Sequence, residues 1–108
     1  MEFQTSKTIY AAIRASRHAD LRQQLVDAAV RYARIRTDYR LTDPATRAEM
    51  EDGRTRAHNV LIDACNILAR AMQRDGEDIG WRTRLTQDRK IIGDFACHLH
   101  ALLGIEGR

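Results

Sequence analysis

At 108 residues the chain has the length of one ordinary domain, and 44% hydrophobic residues are enough for a genuine core. Only 6% are aromatic, with a single proline and 6 glycines, so that core is made mainly of Leu, Ile, Val and Ala in a helix-forming composition that argues against a long disordered tail. The net charge of +3 is mild but uneven: residues 1–40 carry +4, residues 41–78 carry −3 and residues 79–108 carry +2.

No apolar run approaches the roughly 20 residues of a membrane span, and the polar start Met1–Thr8 does not read as a secretory signal. Cys65 and Cys97 lie in apolar helical surroundings without CxxC spacing. That argues against a disulfide scaffold or a zinc site and for a reducing cytoplasm. All but Lys7 and Lys90 of the 18 cations are arginine. Arginine suits bidentate contacts to phosphate and carboxylate, although a GC-rich genome produces the same bias.

In chain order, Ile9, Ala12, Ile13 and Ser16 predict a short first helix over 9–16. A second runs from about Asp20 to Arg40, with Leu21, Leu25, Ala28, Ala29, Tyr32 and Tyr39 at three- and four-residue steps. Asp27–Arg31 and Arg34–Asp38 are spaced for weak ion pairs on its outer side. Asp43-Pro44 starts a third helix, with Thr46 and Glu49 spaced as a competing capping box. This helix continues past Gly53, a possible kink, to about Arg74, where Asp75-Gly76 ends it. One helical turn is predicted at Trp81–Leu85. A last helix is capped by Thr86 and closed by Gly104, with Ile91, Ile92, Phe95, Leu99, Leu102 and Leu103 as its apolar stripe. No strand alternation or repeat is visible. The fold class is all-α, a compact antiparallel bundle of about four helices in a single domain over residues 1–108.

Four features bear on function. From Ala57 onward the third helix is apolar over much of its circumference, as a central helix would be. Asn59, Asp63, Asn66 and Arg70 cross that background as a narrow polar stripe. It reads as a structural seam facing other helices, because buried polar groups must pair; a polar pocket is the other reading. Arg36 projects into the apolar sector of the second helix and wants a carboxylate, with Asp63 and Asp94 available.

Second, Asp94 and His98 are four apart on the last helix, but no HExxH or paired-cysteine spacing completes a ligand set, so neither metal nor cofactor is expected. Cys97 and His98 are adjacent and point apart on a helix, unlike a nucleophile and its base. No catalytic signature is present. Arg14–His18 and Arg54–His58 share an ArgxxxHis spacing one residue short of that in helical ribonucleases of the HEPN type, and that family is not carried over.

Third, Gly93, Cys97 and Ala101 form a small-residue stripe, read as a second packing side within the chain or as a homodimer contact. Fourth, Ile79–Ile92 holds Arg82, Arg84, Arg89 and Lys90 against Asp88 alone, beside the only tryptophan, Trp81. Cations next to an exposed aromatic would make a stacking and phosphate platform for single-stranded nucleic acid. In the competing reading Trp81 plugs the core and the arginines are merely solvated.

The phrases AHNVLIDACNILAR, DIGWR and DRKIIGDFACHLHALLG lie within Arg56–Arg108. This half of the chain resembles a small bacterial family of unknown function carried on phages and mobile elements. The resemblance implies a setting of inhibitors and regulators, anti-CRISPR proteins among them, which act by binding rather than turnover; it transfers no site residues. The expectation is therefore a non-catalytic protein acting on single-stranded nucleic acid or a nucleic-acid-handling complex through Trp81, Arg82, Arg84, Arg89 and Lys90. The alternative is a protein-interaction module, monomeric or homodimeric.

Overall fold

The computed structural model describes residues 4–103 and is all-helical over them. Its five helices are α1 Gln4–Arg14, α2 Ala19–Leu41, α3 Pro44–Arg74, α4 Gly80–Leu85 and α5 Arg89–Leu103. The ends of α3 fall where local chemistry demands. The Asp43 carboxylate accepts from the Thr46 backbone N–H at 3.1 Å, and Pro44 follows at the first helical position, where no N–H is missed. Thr46 turns its own hydroxyl to Asp43, so the Thr46–Glu49 box gives way. At the far end the Gly76 N–H reaches the Gln73 carbonyl at 3.1 Å and the Glu77 N–H reaches Met72 at 2.9 Å. This is a full Schellman cap, with Gly76 at φ +75°.

Other boundaries differ from expectation. α1 begins at Gln4, because Thr8 bonds back to the Gln4 carbonyl and Ser6 is itself buried against the core. Asp88, not Thr86, caps α5 through the Ile91 N–H at 2.9 Å; Thr86 closes α4. Gly104 lies outside the described residues. Asp27 accepts from Gln23 at 2.9 Å rather than meeting Arg31.

α2 and α3 form a long antiparallel hairpin, and α5 packs on the other side of α2. α1 lies against α4 and α5 and closes the base. At about 1.5 Å per residue α3 alone spans roughly 46 Å, which accounts for the longest extent of 48 Å. The core sits at one end of that rod. Trp81, Phe95, Ile9, Leu25, Leu61 and Leu68 are all fully buried there. No residue between Arg34 and Arg56 is buried, so the outer part of the hairpin is a two-helix arm. Among the described residues no helix is long and apolar enough to cross a membrane.

Candidate anion-binding site

The arm joins the base where α2, α3 and the start of α5 meet. On α2, Tyr32 is buried, and its ring stands edge-on to His58 of α3 with centroids 5.6 Å apart. One turn before His58, Arg54 lays its guanidinium over the Tyr39 ring at 4.9 Å and ion-pairs with Glu51. Arg89 opens α5. Tyr32, Arg54, Thr55, His58, Asn59 and Arg89 line a depression of about 160 Å³.

The polar atoms of this depression are under-used. Arg54 Nε and His58 Nε2 are buried without a hydrogen-bond partner. Leaving such atoms unpaired is costly, and a guanidinium has no acceptor with which neighbouring donors could be satisfied. A group with acceptors would satisfy Arg54 Nε, and also His58 Nε2 where that nitrogen carries the ring proton. Glu51 serves Arg54 from one side only; that contact, then Tyr39, holds the Glu51 carboxyl below its ordinary value. A third guanidinium adjoins. Arg36 lies over the Tyr32 ring at 5.7 Å and against α5 at Gly93, where a Cβ would collide with it. A side chain at residue 93 would exclude Arg36, so glycine there is what lets the cation reach this corner.

A second depression of about 140 Å³ lies further along α3, lined by Asn66, Arg70, Gln73, Ile79 and Arg82. Arg82 Nε donates to Asn66 Oδ1 at 2.7 Å, which fixes the guanidinium against α3. Asn59, Asn66 and Arg70 are seven and eleven residues apart, within about 20° of one direction on a helix. The two depressions therefore open on the same side of α3, roughly 10–16 Å apart by helical rise.

These positions correct the sequence reading at several points. Trp81 is fully buried: it plugs the base, its indole Nε1 without a hydrogen-bond partner, and offers no stacking platform. Of the cations beside it, Arg82 and Arg89 line the two depressions, whereas Arg84 and Lys90 are exposed and line neither. The stripe on α3 is not a buried seam. Asn59, Asp63 and Arg70 are exposed and Asn66 is half-buried, because α5 packs on α1 and α2 and leaves this side of α3 open. For the same reason Val60 and Ile67 are 54% and 45% exposed. Arg36 pairs with neither Asp63 nor Asp94; the aromatic face of Tyr32 takes it instead. The small-residue stripe is not a free surface at Gly93, which is buried under Arg36.

No family model, curated protein or solved structure matches the chain.

Tyr32, Arg54 and His58 were absent from the expected site residues. The one local signal was the ArgxxxHis spacing, which sets Arg54 and His58 on one side of α3. The other such pair also leads to a cluster. His18 precedes α2 and meets Asp75 and Glu77 from the end of α3, a set of donors able to hold a cation. The cysteines form no site. Burial pushes the Cys65 thiol up to about 12, against the opposing charge of Arg82, so it stays protonated and inert. Cys97 is half-buried on α5. His98 is held below its ordinary value, first by burial and then by the charge of Lys7.

Proposed function

We propose that this protein is a non-catalytic binding protein that captures a phosphate-bearing strand, single-stranded nucleic acid, along the open side of α3. The observation that carries the reading is the pair of buried, unpartnered polar atoms, Arg54 Nε and His58 Nε2, in a depression that Arg89 also lines. Charge-assisted hydrogen bonds from guanidinium to phosphate oxygens are the strong interaction this geometry can make. Arg82 and Arg70 supply a second cationic point on the same side. Because Trp81 is buried, attachment is by phosphate contacts, and sequence preference is weak. The same side of α3 would serve on a nucleic-acid-handling complex, a CRISPR effector among them, where a strand is held in the open.

Fluorescence anisotropy with a labelled single-stranded 20-mer tests this. Three or four phosphate contacts give a log–log slope against salt of roughly −2 to −3. Arg82→Glu with Arg89→Glu abolishes binding, and Arg84→Glu, which touches neither depression, reduces it only slightly. Absence of binding at low salt, or equal loss in the Arg84 variant, would overturn the proposal. A second reading, a protein-interaction module, is favoured by the groove between α2 and α3. It has about 430 Å³ and holds Val60 and Ile67, both exposed, between Ala28 and Ala64.

A further inference from the structure

At the end of the molecule opposite the arm, the α1–α2 turn meets the C-terminus of α3. The turn is held by its own hydrogen bonds. Arg22 Nη1 donates to the Ser16 carbonyl at 2.8 Å and to the Arg14 carbonyl at 3.1 Å, and the Ser16 hydroxyl accepts from the His18 N–H at 3.1 Å. The Schellman cap fixes the other half by placing Asp75 and Glu77 on either side of Gly76. The two halves are joined by the Arg17 N–H, which donates to Glu77 Oε1 at 3.2 Å.

The side chains then converge. His18 Nε2 lies 2.7 Å from Asp75 Oδ2 and 3.8 Å from Glu77 Oε2, and all three donor atoms fall within 4.8 Å of one another. Yet His18 Nε2 and Glu77 Oε2 are both buried atoms without a hydrogen-bond partner: the short contact to Asp75 lacks hydrogen-bond geometry. Two carboxylates also sit at the C-terminal, negative end of a 31-residue helix, where the dipole favours a cation and disfavours an anion. An unpartnered imidazole nitrogen, an unshared carboxylate oxygen and a second carboxylate at the negative pole converge on a point where one positive ion would serve all three.

We infer that His18, Asp75 and Glu77 bind one divalent first-row metal ion of the zinc or manganese class, which staples the α1–α2 turn to the end of α3. One nitrogen and two oxygen donors, with no thiolate, suit that class. Metal–ligand distances near 2.0–2.2 Å need donor atoms about 3–3.5 Å apart, so the side chains have only to open one contact slightly and close another. Three protein ligands leave at least one position for water. In the sequence His18 shows only as one end of the Arg14–His18 spacing, because Asp75 and Glu77, two residues apart, lie 57 and 59 residues from it.

The test is titration of the full chain, stripped with chelator, with zinc sulfate and separately with manganese chloride, read by calorimetry and by thermal unfolding. One ion binds per chain, and the unfolding temperature rises by roughly 5 °C or more once free ion exceeds Kd about tenfold. His18→Gln and Glu77→Gln each weaken binding about tenfold or more, while His100→Gln leaves it unchanged. Affinity falls as pH is lowered, because the ligands must be deprotonated. Circular dichroism of the variants without metal separates lost binding from lost fold. No heat and no thermal shift with either ion at millimolar concentration would overturn the inference, leaving His18 and Asp75 as a plain ion pair. Binding that survives in both ligand variants would overturn it equally.

Discussion

The base and the arm are built from the same two long helices, yet they hold together by different forces. In the base, Trp81, Phe95, Leu25 and Leu61 are fully buried among five helices. In the arm, α2 and α3 face chiefly each other, with Arg36 reaching α5 at Gly93, and between Arg34 and Arg56 nothing is buried. What holds the arm is polar and aromatic. Tyr39 lies between Arg47 and Arg54, with centroid distances of 5.7 Å and 4.9 Å. Arg47 also turns back to the end of α2, donating to the Tyr39 carbonyl at 3.1 Å and the Arg40 carbonyl at 3.0 Å, where cations favour a helix terminus. The base keeps its own unpaired atoms, Trp81 Nε1 in the core and His18 Nε2 and Glu77 Oε2 at its far end, whereas the junction sets Arg54 Nε and His58 Nε2 beside a depression that mixes guanidinium, imidazole and aromatic faces.

The largest effect falls in the base. Trp81→Ala removes the largest buried side chain and costs about 3–5 kcal/mol, a large share of a small domain's stability. A urea midpoint within error of wild type would show that Trp81 is not the plug described. In the arm the equivalent blow is mild. Tyr39→Ala removes two arginine–aromatic contacts of about 0.5–1 kcal/mol each, and speeds amide exchange in residues 35–56 without changing it in α5. Uniform acceleration across both regions would contradict the division.

The smallest effect is a difference in pH response. His98, in the base, is depressed below 6.5. Below that value the unfolded chain takes up the proton first, so stability declines as pH falls through 6.5. Glu51, in the arm, is depressed below 4.5. Its contribution is present above 4.5 and is lost as pH falls further toward its folded value. In thermal unfolding followed from neutral to acid pH, His98→Gln flattens the first decline and Glu51→Gln the second. If either variant flattens the other's decline, the assignment of groups to regions fails.

Much of the fold was legible because its signals are local. Asp43-Pro44 and Asp75-Gly76 mark both ends of α3, and the three- and four-residue apolar steps mark α2 and α5. The start of α1 was missed because Ser6, a polar residue, is buried there. The orientation of α3 was misread for a physical reason. A wide apolar arc looks the same whether neighbours cover it or leave Val60 and Ile67 at the surface, and only the docking of α5 on α1 and α2 decides. That choice also turned Asn59, Asp63 and Arg70 from seam to surface. Trp81 posed the same ambiguity, since a tryptophan among arginines reads equally as platform or plug. Within the candidate site, Arg82 and Arg89 were legible as cations. Arg54 and His58 carried only the ArgxxxHis spacing and Tyr32 no signal, because tertiary packing between helices brings them beside Arg89.

On the function proposed above, a phosphate-bearing strand is held at the junction of arm and base. Proton–nitrogen correlation spectra of the labelled chain, titrated with a short single-stranded oligonucleotide at low salt, test it directly. The largest shifts are expected at the Arg54 and Arg89 Nε–H groups and the His58 ring, with smaller ones at Arg82. Shifts confined to Arg84 and Lys90, or to Val60 and Ile67 in the α2–α3 groove, would contradict it.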